Sequence, residues 1–303
     1  MSNSTTDAGH SNQVDHWTAC LRQHGYCIIP DVIVVDRVAA FNGDLDRHFD
    51  QVLFCDGAFY GPRTKRFGGL LRRSAHADAF VRHPLILAIV NNILSPWCDL
   101  IQLNLTQGIE IHPGALPQLP HRDQDMWQGA KGEMDYLVNV MWPLSAFTPD
   151  NGATILWPES HHRQPEMSLP DEAAIAAEMA PGSVLLFLGS TLHGGGSNRT
   201  SAPRRGLIVS YCLGWLKPFE NQWLVYPPDV ARHFDPELAA LVGYAVHRPN
   251  LGNYEGQCPS VLLRGERPEH LAATDALRAD QVVALDGFVA AQRAADASAD
   301  RAD

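Results

Sequence analysis

The sequence predicts a mainly β protein with flanking helices, in which an antiparallel sandwich or barrel forms the core. Three observations predict this class. After residue 96, apolar and polar residues alternate with a period of two, which is typical of a half-buried strand. Several short strand-like segments follow, and turn sequences rather than helices separate them. A parallel α/β sheet would instead need a helix between successive strands. Before residue 96, apolar residues recur at helical spacing.

The first part of the chain is predicted to be helical up to about residue 95, and standard boundary signals divide it. Gly25 is placed to end a first helix, Asp36 to cap a second and Pro84 to begin another. Segment 26–30, between the first two helices, predicts a short strand because its residues are apolar and β-branched. These helices are expected to pack outside the β core.

The strands of the core are predicted next along the chain. They are expected at 101–111, with a break near Gly108, and at 136–142, 153–157, 183–188 and 206–213. The β core then spans about residues 96–216 of one domain that covers residues 1–303. Two terminal stretches, about 1–12 and 290–303, are expected to be disordered.

Composition excludes several classes of function. The chain has 303 residues with 23 Lys and Arg against 34 Asp and Glu, giving a formal charge of −11. Nucleic-acid and anionic-membrane binding both need a basic face, so neither partner is expected. No apolar run reaches the ~18 residues of a membrane helix. Six cysteines without a CxxC pair predict free thiols in a reducing compartment, so a cytoplasmic enzyme is expected. Its oligomeric state is left open between a monomer and a homodimer.

Histidine and aspartate carry the strongest chemical signal. Two His and one carboxylate on one side of a site are typical ligands of non-haem Fe(II), and His-x-Asp is the usual short form. The chain contains this form four times, beginning at residues 48, 76, 121 and 233. Residues i and i+2 point the same way on a strand but diverge on a helix. Because only His121 and Asp123 lie in the strand-rich region, they are the predicted ligands.

His193 is the predicted third ligand. The apolar strand 183–188 runs into a turn that delivers this histidine immediately before three glycines. Glycine lets backbone approach a ligand closely, so the position suits a binding site.

Arginine at the start of the last strand is predicted to hold an anion. Arg204 shares a strand face with small and polar residues, which suits a cavity, whereas Arg205 shares the opposite face with bulky apolar residues. A buried guanidinium needs an anionic partner, and a carboxylate can bind it through two oxygens. The strand register leaves Arg205 open as the alternative.

Taken together, these residues resemble the phytanoyl-CoA dioxygenase family of Fe(II)/2-oxoglutarate-dependent oxygenases, especially its members that tailor natural products. The resemblance covers about residues 25–219. The motifs that carry it are His121-Arg-Asp123, Asn151-Gly-Ala-Thr154, Pro158-Glu-Ser-His161, and His193 with Arg204 eleven residues later. It implies a double-stranded β-helix, a cupin-like jelly roll, as the core.

The same resemblance implies the cofactors and their ligands. His121, Asp123 and His193 would bind Fe(II), Arg204 would hold the distal carboxylate of 2-oxoglutarate, and O2 would be the oxidant. Gln118 and Trp142 match cosubstrate contacts of related members. Asn104 and Thr106 are expected to line the same cavity because they lie on the polar face of strand 101–111.

The implied reaction oxidises an unactivated C–H bond of a small organic metabolite, most simply by hydroxylation, and releases succinate and CO2. Halogenases of this superfamily have a small residue in place of the carboxylate, so Asp123 disfavours halogenation. A cupin-like metal protein or isomerase that does not use 2-oxoglutarate is the main alternative, but it leaves Arg204 unexplained. An α/β-hydrolase would explain His193-Gly-Gly-Gly, yet Tyr254 stands where its nucleophilic serine is required.

Substrate contacts are expected from the segments around the core. The loop 55–74 contains five cations between residues 63 and 73, which predicts either an anionic substrate or a solvated lid. The cations are Arg63, Lys65, Arg66, Arg72 and Arg73. Segment 124–135, with Met126 and Trp127, is a second candidate lid, and 215–223 a candidate wall.

Overall fold

The computed structural model describes residues 4–161, 163, 173–265 and 269–299, and the fold is mainly antiparallel β with flanking helices, which confirms the predicted class. Within those ranges, nine strands form two sheets with the orders β1-β7-β4-β9-β3-β2 and β6-β5-β8. The strands are β1 Tyr26–Ile29, β2 Thr64–Gly68, β3 Ile101–Ile111, β4 Leu137–Pro143, β5 Thr154–Leu156, β6 Ile175–Ala176, β7 Val184–Leu188, β8 His193–Gly195 and β9 Arg204–Leu213.

Helices precede, cover and follow these sheets. They are α1 Ser4–His24, α2 Val35–Gln51, α3 Ala77–Val81, α4 Pro84–Leu94, α5 Gln222–Val225, α6 Pro228–Ala231, α7 Pro236–Leu241 and α8 Ala279–Ala299. Short 3₁₀ turns lie at Leu70–Arg72, Ser95–Trp97, Asp123–Met126 and Pro259–Leu263. Over the described ranges, no helix combines the length and apolar character that a membrane crossing requires.

The larger sheet separates two apolar clusters. Its outer face packs against the buried stripes of α2 and α4, where Phe41, Leu45 and Ile89 are almost fully buried. Its inner face packs with the smaller sheet around a second cluster that includes Phe147 and Phe187. The strands β4 and β7 are buried on both faces, so their sequences are continuous apolar runs rather than alternating ones. The space between the sheets contains the candidate site.

Several predicted boundaries are confirmed and one cap is wrong. Gly25 follows α1 with φ of +80°, the left-handed conformation that ends a helix. Pro84 occupies the first turn of α4. Asp36 is not the N-cap of α2, because that helix begins at Val35 and its N-cap, Val34, makes no side-chain bond. Asp36 instead lies in the first turn, where a negative charge favours the helix dipole.

The strand β3 corrects the predicted break near Gly108. It runs without interruption and pairs with β9 and β2 through this glycine. Its space is filled by aromatic rings, since a Cβ on Gly108 would lie 3.1 Å from Phe67 Cζ and 3.3 Å from Phe49 Cζ. The irregularity lies earlier: Leu103 pairs with Tyr211 and Leu105 with Ser210, so Asn104 is the extra residue of a β-bulge.

The ends of the chain and the basic loop also differ from expectation. The predicted disordered ends are helical where the structure describes them, from Ser4 in α1 and to Ala299 in α8, because extending a helix costs little once one turn is held and alanine favours it. Part of the 55–74 segment is strand β2, whose Thr64 and Phe67 are buried. Of the two strands of the large sheet that precede residue 95, β1 lies in the predicted segment 26–30, whereas β2 lies where the sequence predicts no strand.

Candidate active site

Two histidines face each other across a short antiparallel bridge between the segment that contains His121 and the start of β8. His121 N donates to His193 O over 2.9 Å, and His193 N donates to His121 O over 3.0 Å. Arg122, the next residue, is extended with φ of −116° and ψ of 122°. Because two extended steps return the side chain to the same side, Asp123 joins both histidines, as the sequence predicts.

The three side chains form a compact donor set. Asp123 Oδ1 lies 3.3 Å from His121 Nε2, and its Oδ2 lies 3.6 Å from His193 Nε2. One donor atom from each residue falls within 4.8 Å of the others. This spacing lets all three donors reach one ion, so the residue types and their geometry fit Fe(II) with further positions open.

Backbone carbonyls orient both imidazole rings. His121 Nδ1 lies 2.9 Å from Leu119 O, and His193 Nδ1 lies 3.1 Å from Thr191 O. A carbonyl can only accept, so each Nδ1 carries the proton and each Nε2 presents its lone pair towards Asp123. Both rings are therefore fixed in the tautomer that a metal ligand needs.

Electrostatics favour the metal-binding forms of His193 and Asp123 and act the other way on His121. Burial lowers the pKa of His193 to about 4, so its ring is neutral at physiological pH. Burial acts to raise the pKa of Asp123, but His193, His121 and the amide of Asn139 outweigh it and hold that pKa below its usual range. His121 has a raised pKa, because Asp123 and Leu119 O outweigh the opposing effect of burial.

The buried Arg122 anchors the segment that carries these ligands. Its side chain points away from the donors, and its Nε and Nη2 donate to the carbonyls of Ser190 and Ser160 over 2.9 and 3.2 Å. It thereby ties the His121–Asp123 segment to the chain just before His193.

Arg204 lies at the other end of the same cavity, as predicted. It is 2% exposed, donates to Gly152 O and stacks on the Phe147 ring with its Cζ 4.1 Å from the ring centre. Its Nε is buried without a hydrogen-bond partner in the described residues. Burial, together with the nearby Arg66, lowers the pKa of Arg204 to about 9. An unpaired guanidinium in such a place fits a carboxylate ligand.

Arg205 is directed away from the cavity, which decides between the two arginines. Its Nε lies 2.5 Å from Glu110 Oε2, its Nη1 bonds Asp46, and its guanidinium stacks on Phe49. The predicted cosubstrate role of Arg205 is therefore wrong, because successive residues of β9 face opposite sides and the acidic partners lie outside.

Trp142 and Thr106 also lie outside the cavity, and their predicted cosubstrate contacts are wrong. Trp142 is on the outer face of β4, packed against Phe80. The bulge at Asn104 reverses the side to which the rest of β3 points, so Thr106 faces outwards and its Oγ1 accepts from Leu70 N over 3.1 Å. Asn104 itself does line the cavity, although its amide is bonded to Ser210 Oγ and Phe219 N.

Gln118 lies in the cavity wall, as the family resemblance implies. Its Oε1 accepts from Gly195 N over 3.2 Å, and its backbone N donates to Gly195 O over 2.8 Å. The cavity has a volume of about 120 Å³ and contains the three donors, Arg204 and Gln118 in its lining.

Sequence reasoning did not place Asn139 in this cavity, and it named Arg66 only as one of the five cations of a loop. Asn139, on β4, donates to Asp123 Oδ2 over 2.8 Å. Arg66, on β2, lines the cavity, donates to Gln107 Oε1 over 3.1 Å and stacks on Tyr60. A single Asn in an apolar strand is a usable signal, whereas Arg66 is hidden among neighbouring cations.

The other members of the basic loop serve the scaffold. Lys65 Nζ donates to Phe49 O over 2.6 Å, Arg72 donates to Val225 O over 3.1 Å, and Arg73 donates to Gly68 O over 2.8 Å. Only Arg63 and Arg66 of the five cations line the cavities beside the donors.

The three other His-x-Asp pairs have structural partners. His48 lies in α2, and its Nδ1 is 3.1 Å from Arg73 Nη1. Asp78 makes no cap bond and pairs with Arg82. Asp235 caps α7 through the backbone N–H groups of Glu237 and Leu238.

Solved structures of proteins that depend on or bind 2-oxoglutarate have a similar fold. The α-ketoglutarate-dependent epimerase SnoN of nogalamycin biosynthesis superposes with a TM-score of 0.57 at 17% identity, covering 67% of this chain and 82% of SnoN. HygX of Streptomyces hygroscopicus, solved with nickel, 2-oxoglutarate and hygromycin B, gives 0.52 at 18% identity over 65% of this chain and 86% of HygX. These likenesses confirm the predicted jelly-roll fold.

The relatives found by sequence similarity include named dioxygenases. Dioxygenase trt7 of Aspergillus terreus is 30% identical over 240 residues, which cover 74% of this chain and 82% of the relative. Dioxygenase FrzG of Cladobotryum is 31% identical over 258 residues, covering 75% and 84%. With the His-Asp-His donor set in a jelly roll, the protein is a non-haem iron dioxygenase that depends on 2-oxoglutarate.

The family model for phytanoyl-CoA dioxygenase (PhyH) matches residues 21–206, and the chain belongs to that family. The predicted enzyme class and the cofactors Fe(II), 2-oxoglutarate and O2 are thereby confirmed. The alternatives of an α/β-hydrolase and of a cupin-like protein that does not use 2-oxoglutarate are set aside.

Proposed function

We propose that this dioxygenase hydroxylates an unactivated C–H bond of a small organic metabolite, with conversion of 2-oxoglutarate to succinate and CO2. One observation carries the proposal: the His-Asp-His donor set and the unpaired, buried Arg204 open into the same cavity. The named dioxygenases of fungi among its relatives support oxidation of a small molecule.

His121, Asp123 and His193 would hold the iron through Nε2, a carboxylate oxygen and Nε2. When bound, Fe(II) supplies the activation of O2 and the oxidation of the substrate carbon, with 2-oxoglutarate as the electron donor. The carboxylate at position 123 occupies the place that a halide would need, so hydroxylation is favoured over halogenation. Phe187 packs on His193 with ring centres 4.6 Å apart and shields that side of the site from water.

Two buried arginines match the two carboxylates of 2-oxoglutarate. Arg204 would hold the distal carboxylate, and Arg66, whose charge interacts with Asp123 and Arg204, would face the carboxylate near the iron. Gln118 offers its side-chain NH2 group from the cavity wall, and Asn104 lies beside Ser210 further along it. A dianion between the two guanidinium groups would relieve their mutual repulsion and their loss of hydration.

The proposal also covers the cellular compartment and the binding partners. All six cysteines are free, which suits an enzyme of the reducing cytoplasm. The proposed partner is the small-molecule substrate alone, with no nucleic acid or membrane.

The test supplies Fe(II), 2-oxoglutarate and O2 to the purified enzyme and measures succinate. We expect slow uncoupled turnover without the true substrate, abolished by Asp123→Ala and reduced at least about 100-fold by Arg204→Ala, since each removes a charged contact to a bound group. Arg199→Ala is the matched control, because Arg199 is 67% exposed and pairs only with Asp150. An Arg204→Ala variant with an unchanged KM for 2-oxoglutarate would contradict the proposal.

The choice of hydroxylation is tested on products. Metabolite extracts are incubated with the enzyme under ¹⁸O2, and products are analysed by mass spectrometry. Hydroxylation predicts a product that gains one labelled oxygen atom. A product that loses two hydrogens would instead indicate desaturation or an oxidative ring closure, and a product of unchanged mass would indicate epimerisation. The names of SnoK and SnoN describe a ring closure and an epimerisation for those enzymes.

A further inference from the structure

A second cavity of about 240 Å³ adjoins the one that contains the metal donors. The two share Phe59, Tyr60, Arg66 and Gln118 in their linings. The walls of the second cavity also flank the donors along the chain, since Leu116 and Gln118 precede His121 and Gly195 follows His193. A molecule in this cavity would therefore lie against the iron site without occupying the place of 2-oxoglutarate.

Exposed apolar side chains lie in the walls of these two cavities. Phe59 is 44% exposed, and its ring lies 4.9 Å from the ring of His121, centre to centre. Leu116 is 86% exposed in the wall of the second cavity, and Met126 and Phe219 are 42% and 49% exposed in the wall of the first. Clustered exposed apolar groups beside a cavity mark a site that buries an apolar ligand.

The charges of the second cavity have one sign. Arg63 and Arg66 line it, and no acidic side chain of the described residues does so. Arg63 makes no hydrogen bond or ion pair through its guanidinium within the described parts of the chain, and it lies over Gly114, where a Cβ would be 3.5 Å from Arg63 Nε. This is unusual in a protein with a formal charge of −11.

A count of guanidinium groups points to the substrate. Arg63, Arg66 and Arg204 line the two cavities, and none has a carboxylate partner among the described residues. 2-Oxoglutarate has two carboxylates, so it can pair with at most two of the three. Because the proposed function assigns Arg204 and Arg66 to these two carboxylates, Arg63 is left for a further anion.

We propose that the second cavity binds the primary substrate, and that this substrate is an apolar molecule bearing a carboxylate. Its apolar body would lie on Phe59 and Leu116, and its carboxylate would pair with Arg63. The proposal rests on the proposed dioxygenase function, since it places the substrate beside the iron. It excludes amines as substrates, because a cation would face Arg63 and Arg66 without an acidic partner.

The test uses three ligands with one apolar body and different charge: 1-adamantanecarboxylate, 1-adamantanemethanol and 1-adamantanamine. Each is titrated by calorimetry into the enzyme loaded with Co(II) and saturating 2-oxoglutarate, so that no turnover occurs. We expect the carboxylate to bind about five-fold more tightly than the alcohol and the amine to bind most weakly. Equal affinity for amine and carboxylate, or no binding of any of the three, would overturn the proposal.

Variants separate the two parts of the site. Phe59→Ala should weaken carboxylate and alcohol alike by about ten-fold, and Leu116→Ala by about three-fold, because both lose apolar contact. Arg63→Gln should weaken the carboxylate about five-fold and leave the alcohol unchanged. Leu224→Ala, at a side chain that is 75% exposed on another surface, is the matched control and should change neither affinity.

The 2-oxoglutarate affinity distinguishes the possible failures. If the Co(II) enzyme does not bind 2-oxoglutarate, the proposed function itself is wrong. If it binds 2-oxoglutarate but Phe59→Ala and Leu224→Ala behave alike, only the substrate site is wrong. A carboxylate that displaces 2-oxoglutarate would be occupying the cosubstrate place and would also count against the second cavity.

Discussion

Asp123 is held from both sides, and this arrangement explains how one carboxylate serves as a metal donor. Its Oδ2 accepts from Asn139 Nδ2 over 2.8 Å, while Oδ1 lies 3.3 Å from His121 Nε2. The amide thus fixes the rotation of the carboxylate without adding charge. Groups that orient a metal ligand in this way contribute substantially to the affinity of the site for its metal.

Replacing Asn139 is therefore expected to loosen the metal site. Asn139→Ala should weaken Co(II) binding by about 10-fold or more, measured by titration of the Co(II) absorption. Asn104→Ala is the matched control, since its amide is equally buried but bonds Ser210 rather than a ligand. If both variants bind Co(II) with the same affinity, Asn139 has no orienting role.

Arg204 and Arg205 are neighbours on β9 but have different roles. The role of Arg205 can be measured as its contribution to the free energy of unfolding. Arg205 pairs with Glu110, whose side chain is 4% exposed and also contacts His112 over 2.6 Å. Arg205→Ala should lower the free energy of unfolding by about 3 kcal/mol, because it leaves Glu110 buried without its guanidinium. Denaturant unfolding measures this loss of unfolding free energy. Adding Glu110→Gln to the Arg205→Ala variant should make the loss smaller. An unchanged midpoint in Arg205→Ala would show that this pair is not stabilising.

At the scale of elements, the β-bulge in β3 decides which residues enter the cavity. Before the bulge, Leu103 packs in the outer core, and after it Leu105, Ile109 and Ile111 face inwards. A one-residue insertion reverses the face of every later residue, because side chains alternate along a strand. The inner wall on β3 is consequently mostly apolar, and Asn104 and Gln107 are its polar residues.

The cap of α7 provides a test at the same scale. Asp235 Oδ1 accepts from Glu237 N and Leu238 N over 3.1 and 3.0 Å, and the carboxylate pairs with Arg82. Asp235→Ala should lower the free energy of unfolding by about 1 kcal/mol at neutral pH, as for other N-caps. Thermal or denaturant unfolding of both proteins measures the difference.

The pH dependence of that difference follows from the same contacts. The Leu238 N–H and Arg82 hold the pKa of Asp235 below its usual range in the folded state. Such a group stabilises the fold above the unfolded pKa of about 3.9, and the contribution is lost as pH falls through the lower folded pKa. The gap in unfolding free energy between wild type and Asp235→Ala should therefore narrow as the pH falls below about 3.9. A gap that is independent of pH would contradict a charged cap.

At the scale of the whole molecule, the site joins segments that are distant in sequence, so its ligands should stabilise the fold as a unit. His121 and His193 are 72 residues apart, and Arg66 and Arg204 come from β2 and β9. Co(II) with 2-oxoglutarate at 100 times their Kd should each add about 2.7 kcal/mol to the free energy of unfolding. Asp123→Ala should lose the stabilisation by metal, and a chelator should reverse it in the wild type. Equal stabilisation of both proteins would mean that the metal binds elsewhere.

The sequence by itself determined the class of the fold and the three metal donors. Period-two alternation, turn residues and the Gly25 and Pro84 boundaries are local signals, and the i, i+2 rule singled out His121 and Asp123 before any contact was known. Family resemblance then added Arg204 and Gln118. The fold class was predictable because its signals depend on neighbours in the chain, and the structure places these site residues in the lining of one cavity.

Only the tertiary structure decided which buried residues face the cavity. Trp142 and Asn139 lie on one strand that is buried on both faces, so no polarity in the sequence separates the side that faces the helices from the side that faces the iron site. Thr106 was misplaced because a bulge leaves no mark in the pattern of apolar residues, and Arg66 was hidden in a run of cations whose partners come from distant strands. Facing and pairing are set by contacts between strands far apart in the chain, and those contacts exist only after folding.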